Sequence, residues 1–258
     1  MERVTVVKVG GKVVETPELL QKLLFNFSRI SGNKVLVHGG GRSATAIAKQ
    51  LGIETQMVNG RRITDENMLD VVTMVYGGLV NKKIVAGLQA LNSNAVGLTG
   101  ADMDLIRAVK RPVKDIDYGF VGDIRDVSTR ELELVLDQGV VPVVAPLTHD
   151  GKGQMLNTNA DTIAAELAIA LSRKYRVQLI YCFEKKGVLF NPDDEDAVIR
   201  ELDYTSYESY QKSGVIVDGM IPKLDTGFSA IRNGVEMVYI TNSDELGSNV
   251  GHGTKLII

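Results

Sequence analysis

Short apolar runs alternate along the chain with longer segments whose apolar residues recur every three or four positions. Residues 4–9 and 35–37 are two such runs and predict buried strands, while Leu19, Leu23 and Phe27 recur at helical spacing between them. A strand, a helix and a second strand in this order predict a βαβ unit and therefore a parallel sheet. The pattern thus predicts an α/β protein, built either as one large domain or as two lobes.

Turn and cap residues predict where several elements begin and end. Residues 59–60, Asn-Gly, lie between short extended pieces and predict a hairpin. A long helix is predicted over 64–91, with a break at the glycine pair 77–78. The capping-box pattern at 128–131 predicts the start of a helix that should stop at Gly139.

Residues 34–43, KVLVHGGGRS, lead from a predicted strand through three glycines into a predicted helix. The glycines let backbone N–H groups approach a ligand closely, and the positive end of the helix points at the same place. The amino-terminal strand also ends in two glycines, Gly10 and Gly11, and contains the charged Lys8. Two strand ends therefore predict one anion site beside a lysine, although a tight turn that binds nothing is the alternative.

Two further helix starts carry polar residues in unusual positions. The sequence LNTNAD at 156–161 precedes an apolar helix, and its three Asn or Asp residues exceed what capping requires, although simple capping is the alternative. Pro222 suits the first turn of a helix, which puts Lys223 at a positive helix end. A lysine in that position indicates that an anion binds nearby.

Composition narrows the class of protein. The 258 residues carry a net charge of −3 and contain no basic run, which argues against nucleic acid as a partner. Cys182 lies in an apolar run, where a buried structural thiol is expected. We expect no signal peptide and no apolar run that approaches membrane length, and hence no membrane partner and a cytoplasmic enzyme.

Six motifs occur in the order and spacing of the amino-acid kinase family, namely VVKVGGK, VHGGGR, NGRRIT, MLNTNAD, VDGMIPK and GTKLII. The chain resembles that family over essentially its whole length, and most of all the members that phosphorylate the side-chain carboxylate of N-acetyl-L-glutamate in arginine biosynthesis. The resemblance implies a three-layer α/β/α sandwich with a mainly parallel central sheet. It implies a single domain over 1–258, with lobe 1–172 binding the acyl amino acid and lobe 173–258 binding ATP.

The resemblance also implies an assembly and a regulatory property. Family members of this kind form homodimers, so a homodimer is expected here. Members that arginine inhibits carry an extra amino-terminal helix, and residues 1–3 lead straight into the first predicted strand. Insensitivity to arginine is therefore expected.

Individual roles follow from the same resemblance. The residues implied to be catalytic are Lys8, Lys223 and Asp161. The residues implied to bind the acyl amino acid and the transferring phosphoryl group are Gly40, Gly41, Arg62 and Asn157. The residues implied to line the nucleotide are Gly10, Gly11, Glu184, Lys185, Lys186, Gly187, Val188, Leu189, Val215, Ile216 and Val217. The two lysines would stabilise the phosphoryl group in flight, and the aspartate would orient both.

Elementary chemistry agrees with these roles. A carboxylate acceptor has an ordinary pKa of about 4.3, so at neutral pH it needs no general base. Phosphoryl transfer needs positioning and neutralisation of charge, which two lysines, backbone N–H groups and the Mg²⁺ carried by ATP can supply. No metal site built from protein ligands is expected. The chain has no GxxxxGK[ST] sequence, so it is not a P-loop enzyme.

Other functions are weighed against this one. Gly39, Gly41 and Ala44 fit the G-x-G-x-x-G/A pattern of nicotinamide-dependent oxidoreductases, but that pattern needs an acid at the end of the next strand, where this chain has the predicted hairpin. Aspartate, carbamate, uridylate and aminoadipate kinases are nearer rivals. Arg62 with Asn157 favours an acylated amino acid that has a free α-carboxylate.

The acyl group is left open by Arg61, where the members acting on N-acetyl-L-glutamate commonly carry an apolar residue. Neighbours on an extended segment face opposite sides, so Arg61 would point to solvent if Arg62 points to the substrate. In the other interpretation, a cation reaches the acyl pocket and pairs with a second carboxylate. The substrate would then be N-succinyl-L-glutamate.

Overall fold

The computed structural model describes residues 1–58, 60–246 and 253–258. In chain order the strands of that part are β1 (Arg3–Val9), β2 (Asn33–His38), β3 (Met57–Val58), β4 (Arg61–Arg62), β5 (Ala95–Leu98), β6 (Ile106–Lys110), β7 (Gly122–Val127), β8 (Val141–Val144), β9 (Leu147–His149), β10 (Met155–Asn157), β11 (Arg176–Phe183), β12 (Glu201–Asp203), β13 (Met237–Asn242) and β14 (Thr254–Ile257).

The α-helices of the same part are α1 (Gly11–Glu15), α2 (Pro17–Ser28), α3 (Gly41–Gln50), α4 (Glu66–Val72), α5 (Asn81–Gln89), α6 (Arg130–Asp137), α7 (Ala160–Ser172), α8 (Tyr204–Lys212) and α9 (Ile221–Arg232). A π-helix, Thr73–Val80, joins α4 to α5, and short 3₁₀ turns form at Asp102–Asp104 and Asp218–Met220.

The main sheet has the order β12-β14-β13-β11-β1-β2-β8-β5. Its neighbouring strands are parallel, except that β13 and β14 pair antiparallel. In this register Lys8 on β1 lies between Val37 on β2 and Tyr181 on β11. The carboxyl ends of these three central strands therefore meet at one edge, which is where open parallel sheets bind their ligands.

Helices cover both faces of this sheet. On one face, α2, α4 and α5 bury residues such as Phe27, Met68 and Ile84. On the other face, α6, α7 and α9 bury residues such as Leu167 and Phe228. The predicted three-layer α/β/α sandwich with a mainly parallel sheet is confirmed.

A second sheet of order β10-β9-β6-β7 was not predicted. Its strands include IRAVK and GDIRDV, which carry several charged residues and expose many of them. Short polar strands have too few apolar positions for a period of two to be recognised. The hairpin β3–β4 agrees with prediction, although Asn59 of its turn lies outside the described residues.

The helix predicted over 64–91 is observed, but its predicted break at Gly77-Gly78 is wrong. The chain stays helical through Thr73–Val80 in the π conformation. Gly77 packs closely inside the protein, because a Cβ there would lie 3.5 Å from Leu147 Cδ1. Single π-helical turns occur frequently at functional sites.

The expectation that no apolar run approaches membrane length is also wrong, when a run is judged by its length and composition alone. The run Glu66–Gln89 has 24 residues and contains an 18-residue window of mean hydropathy 1.2. Helices in the core of a soluble protein pass the same test, and Val72, Val75 and Ile84 of this run are buried within the described structure.

The predicted capping box at 128–131 does not form. Helix α6 begins at Arg130 with Thr129 as its N-cap residue, and no side chain accepts a hydrogen bond from its first backbone N–H groups. Instead, the Thr129 hydroxyl donates to Glu133 Oε1 at 2.8 Å. The helix ends at Asp137, and Gly139 follows with φ of 69°, as the predicted glycine stop requires.

Candidate active site

Two strand-to-helix turns form a cradle of backbone N–H groups. Helix α1 begins directly after Gly10, and α3 begins after Gly40. A Cβ on Gly11 would lie 3.8 and 3.9 Å from the backbone nitrogens of Gly40 and Gly41, so the two loops converge. A Cβ on Gly40 would lie 3.0 Å from the ring of Tyr76, so only glycine fits there without displacing the ring. This arrangement suits a phosphate or another anion.

Two lysines share one carboxylate beside this cradle. Lys8 Nζ lies 2.7 Å from Asp161 Oδ1, and Lys223 Nζ lies 3.5 Å from Oδ2 of the same residue. All three side chains are largely buried, with 8%, 18% and 8% exposure for Lys8, Lys223 and Asp161. Two buried cations with one anion leave a local excess of positive charge, which a bound anion would neutralise.

Local structure fixes Asp161 where the lysines meet. Asn159 caps α7 by accepting hydrogen bonds from the backbone N–H groups of Asp161 and Thr162 at 2.8 and 3.1 Å. Asp161 therefore lies in the first helical turn, where the helix dipole favours a negative charge. Burial alone would raise the pKa of Asp161, but the charges of Lys8 and then Lys223 lower it below its ordinary value.

The pKa of Lys223 is lowered as well, but the main cause is burial. Burial lowers the pKa of Lys223 below its ordinary value, and the attraction of Asp161 opposes that effect only in part. Its Nζ also donates to the Gly219 carbonyl at 2.9 Å, one helical turn earlier. The amine is thus held at the start of α9 and faces the cradle.

Arg62 and Asn157 lie on the other side of the cradle. Arg62 is buried, and its Nη2 donates to the Gly41 carbonyl at 2.7 Å and to Thr45 Oγ1 at 2.8 Å. Its Nη1 makes only longer contacts, such as 3.4 Å to Thr55 Oγ1. Asn157 donates to Thr64 Oγ1 at 3.0 Å. Arg62 is thus held in place mainly through Nη2, while Nη1 makes only long contacts, to Thr55 and to Met68 Sδ.

Two cavities meet at this position. One has a volume of about 310 Å³ and the other about 540 Å³. Gly41, Met57 and Arg62 line both of them. The smaller cavity also contains Asn157, and the larger one contains Lys8, Gly11 and Lys223, so an acceptor and a phosphoryl donor could meet at the shared wall.

The residues predicted to line the nucleotide are spread more widely. Gly10, Gly11 and Glu184 line the larger cavity. Lys185 and Lys186 instead reach the exposed acidic turn, where their Nζ atoms lie 3.1 Å from Glu195 and 2.6 Å from Asp196.

The apolar members of the same set differ in their exposure. Val188 and Ile216 are buried in the core, whereas Val217 is 52% exposed. The structure therefore does not bring all eleven residues to one wall.

Several residues at the site were missed from the sequence. Tyr76 packs on Gly40 from the π-helix, and a Cβ on Gly41 would lie 4.0 Å from its hydroxyl. Arg111, which directly follows β6, and Asp123 on β7 of the unpredicted second sheet line the smaller cavity as an ion pair. Tyr76 follows an apolar run and precedes two glycines, which is a weak signal. Nothing in the local pattern marked Arg111.

Among the described residues, no group of three or more His, Cys, Asp or Glu side chains is arranged to hold a metal ion. Phosphate oxygens could instead be met by the glycine N–H groups, Lys8 and Lys223.

Comparisons with known proteins agree with this geometry. The model of the amino acid kinase family matches residues 3–242. The chain is 62% identical to an acetylglutamate kinase from Bacteroides thetaiotaomicron, over 98% of this chain and 99% of that protein. It is 58% identical to an acetylglutamate kinase from Parabacteroides distasonis, over 99% of this chain and 100% of that one.

Among solved structures, the chain is similar to the N-acetylglutamate synthase from Neisseria gonorrhoeae complexed with coenzyme A and N-acetyl-glutamate. The TM-score is 0.83 at 23% identity, over 99% of this chain and 59% of that chain. At that identity the likeness is one of fold alone.

Proposed function

Because this chain belongs to the amino acid kinase family, we propose that it transfers the γ-phosphoryl group of ATP to the side-chain carboxylate of N-acetyl-L-glutamate. The product is an acyl phosphate, and the reaction is a step of arginine biosynthesis. Two relatives that match nearly the full chain carry the name of this enzyme. The observation that carries the proposal is the Lys8–Asp161–Lys223 cluster beside the converging glycine loops.

The proposed mechanism assigns each group one task. The acceptor is ionised at neutral pH, since its ordinary pKa is about 4.3, so it attacks without a general base. Lys8 and Lys223 neutralise the charge that moves with the phosphoryl group, and Asp161 holds both amines. The N–H groups of Gly40 and Gly41 bind the equatorial oxygens. Mg²⁺ carried by the nucleotide would neutralise further phosphate charge when bound.

Substrate binding is assigned to the smaller cavity. Arg62 and Asn157 would hold the α-carboxylate, because both side chains line this cavity and are fixed by hydrogen bonds. Residues 1–172 would form the acceptor lobe and 173–258 the nucleotide lobe. The predicted nucleotide set stays a proposal, supported most by Gly10, Gly11 and Glu184.

We also propose a homodimer that forms through the run Glu66–Gln89. Met74 and Leu79 on this run are 55% and 42% exposed, so the run carries apolar surface that a second copy could cover. Sedimentation of Leu79→Lys should then show a monomer, and an unchanged dimer would contradict this choice of surface. The cytoplasmic location stays a prediction.

A coupled ADP-release assay tests the function. It compares N-acetyl-L-glutamate with L-glutamate, L-aspartate and carbamate, and hydroxylamine traps any acyl phosphate as a hydroxamate. We expect N-acetyl-L-glutamate to give the largest kcat/KM of these four. A larger kcat/KM for any of the other three would contradict the proposal.

A second substrate, N-succinyl-L-glutamate, is favoured by one observation. Arg61 and Arg111 both line the smaller cavity. Arg111 pairs with Asp123 through Nε and Nη2, but its Nη1 is buried without a hydrogen-bond partner among the described residues. A buried donor of this kind gains from an added carboxylate. Arg61 itself is exposed and lines this cavity together with the buried Arg62.

Acyl specificity is tested by the ratio of kcat/KM for the N-succinyl and N-acetyl substrates. If N-succinyl-L-glutamate is the substrate, the ratio should exceed one in the wild type. It should then fall about ten- to a hundredfold in Arg61→Leu or Arg111→Gln, whichever residue pairs with the second carboxylate. A wild type that prefers the acetyl substrate would exclude the succinyl alternative. An unchanged ratio in both variants would exclude both arginines as readers of the acyl group.

A further inference from the structure

His38 is a fully buried histidine at the end of β2, directly before the three glycines. Its Nδ1 lies 2.7 Å from the carbonyl oxygen of Gly39. A carbonyl oxygen can only accept a hydrogen bond, so Nδ1 carries a proton and donates it. Burial lowers the pKa of His38 to about 4, so the ring is neutral at pH 7 and its Nε2 is bare.

Asn81 meets that bare nitrogen from the first turn of α5. Its Nδ2 lies 3.2 Å from His38 Nε2 and also donates to the Val143 carbonyl at 2.9 Å. Its Oδ1 accepts from Lys82 Nζ at 3.1 Å. Because Val143 O only accepts and Lys82 only donates, the amide can point in one direction only. Asn81 therefore fixes the tautomer that lets His38 donate to Gly39.

The surrounding chain is shaped around this amide. A Cβ on Gly97 would lie 1.8 Å from Asn81 Oδ1, so the neighbouring strand β5 leaves room for the amide at that position. Asn81 is 1% exposed and directly follows the π-helix. The contacts thus join β2, β8, β5 and α5 through one buried polar group.

The hydrogen bond from His38 sets the direction of a catalytic N–H. Gly39 C=O and Gly40 N–H belong to one peptide unit and point in opposite directions when the unit is trans. Holding the carbonyl against the buried ring therefore turns the Gly40 N–H the other way, where the nitrogens of Gly40 and Gly41 converge on Gly11. On its other side the Gly39 N–H donates to the Val9 carbonyl at 3.0 Å.

We propose that His38 and Asn81 are positioning residues that orient the Gly39–Gly40 peptide so that Gly40 N–H meets the phosphoryl group in the transition state. This inference rests on the proposed phosphoryl transfer, although not on which acceptor receives the group. A donor aimed before the reaction needs no reorganisation during it, which is why such donors accelerate charge-forming steps. The competing role is structural, in which the pair only satisfies buried polar atoms.

Two substitutions of His38 separate these roles. In His38→Asn the side-chain amide can occupy the place of Nδ1 and still donate to Gly39. In His38→Gln the amide reaches the place of Nε2 and loses that donor, but keeps a partner for Asn81. We expect kcat to fall about a hundredfold or more in His38→Gln and about tenfold or less in His38→Asn.

The melting temperatures should rank the two variants the other way, with His38→Gln more stable than His38→Asn. His38→Asn leaves one N–H of the buried Asn81 amide without its acceptor and a void beside it, so it should melt at the lower temperature of the two. If kcat instead falls in the same order as the melting temperature, or if both variants keep wild-type kcat, the positioning role is wrong.

A binding measurement serves if turnover is too slow to measure. The dissociation constant of an ADP–aluminium fluoride complex, which mimics the planar phosphoryl group, should rise at least tenfold in His38→Gln, whereas that of a non-hydrolysable ATP analogue should change less than threefold. Equal changes for both ligands would overturn the proposal. Asn81→Leu tests the pair without changing His38, and should lower kcat about tenfold.

Each assay uses the acceptor that the wild type phosphorylates best. A wild type without activity on N-acetyl-L-glutamate would therefore refute the proposed substrate only. An active wild type with normal kcat in His38→Gln would refute the positioning role only.

Discussion

The acceptor side and the nucleotide side of the cleft are built differently. On the acceptor side, Arg62, Asn157 and the Gly39–Gly40 peptide are each held by hydrogen bonds with buried or half-buried groups. On the nucleotide side, Lys185 and Lys186 extend to exposed carboxylates. Exposed ion pairs of this kind contribute little to stability, whereas the acceptor side is fixed before any ligand arrives.

This difference indicates where geometry matters most. The Lys8–Asp161–Lys223 cluster joins the two sides, because Lys8 extends from β1 while Lys223 extends from α9. Substitutions at this junction should lower kcat, and those on the acceptor side should raise KM for the amino acid. Substitutions on the nucleotide side should have small effects on KM for ATP.

The largest effect is expected at the junction. Lys8→Ala and Lys223→Ala should each lower kcat about 10²- to 10³-fold with little change in KM, because the charge they meet is greatest in the transition state. Asp161→Asn should behave similarly, since it releases both amines. Steady-state kinetics and a melting curve for each variant check this.

The matched control is Lys22→Ala, which removes an exposed lysine paired with Asp244. It should retain wild-type kinetics. Turnover near the wild-type rate in any of the three junction variants would remove the role proposed for that residue.

On the acceptor side, Arg62→Lys should raise KM for the acyl amino acid about ten- to a hundredfold. A lysine supplies one point charge in place of the planar fork that binds a carboxylate, and a charge-assisted hydrogen bond contributes about 1.5–3 kcal/mol. Arg176→Lys is the control. Arg176 forms an ion pair with Glu236 at the amino end of β11, whereas the site lies at the carboxyl ends of the strands. An unchanged KM for Arg62→Lys would contradict its role.

The pH profile tests the junction from its nucleotide side. Burial lowers the pKa of Lys223 below 10.5, and catalysis needs the protonated amine. As pH rises through this lowered pKa the charge is lost, so kcat/KM should fall at a pH below 10.5. In Lys223→Arg the guanidinium stays charged, and the alkaline fall should move to higher pH even if the rate at neutral pH is lower. An unmoved profile would exclude Lys223 as the group that titrates.

The smallest effect is expected at the acidic turn. Asp196→Asn removes the partner of Lys186, and a freed lysine should lower KM for ATP by at most about fivefold, because an exposed ion pair is weak. KM for the amino acid should not change. Asp193→Asn removes one charge from the same turn without an ion pair within the described residues, and should leave both constants unchanged. A rise in KM for ATP only in Asp196→Asn would assign that carboxylate itself to the nucleotide.

The sequence predicted the main sheet, the helices on its two faces and the kinase family, because each rests on local periodicity or on motifs in order. The family is confirmed by the match to its model and by the relatives, which are acetylglutamate kinases. Asp161, Lys8 and Lys223 were found because each lies at a strand end or a helix start. Their catalytic roles stay predictions.

The remaining features depend on contacts that no local pattern contains. His38, Asn81 and Val143 are far apart in the chain and meet only after β2 and β8 pair and α5 packs on them. Arg111 lies near the site because a polar second sheet folds over it. The π-helix was missed because its apolar residues fit an ordinary helical period closely enough to predict an α-helix.

The π-helix has a consequence for which changes in chain length this protein can tolerate. Thr73–Val80 separates α4, which contacts Arg62 through Met68, from α5, which presents Asn81 to His38. An α-helix turns about 100° per residue, so deleting one residue from this stretch would rotate one of those contacts away from the site while the other stayed. Variants with one residue deleted or inserted within Thr73–Val80 should therefore lose activity. Variants with the same change in the exposed turn around Asp194 should keep it.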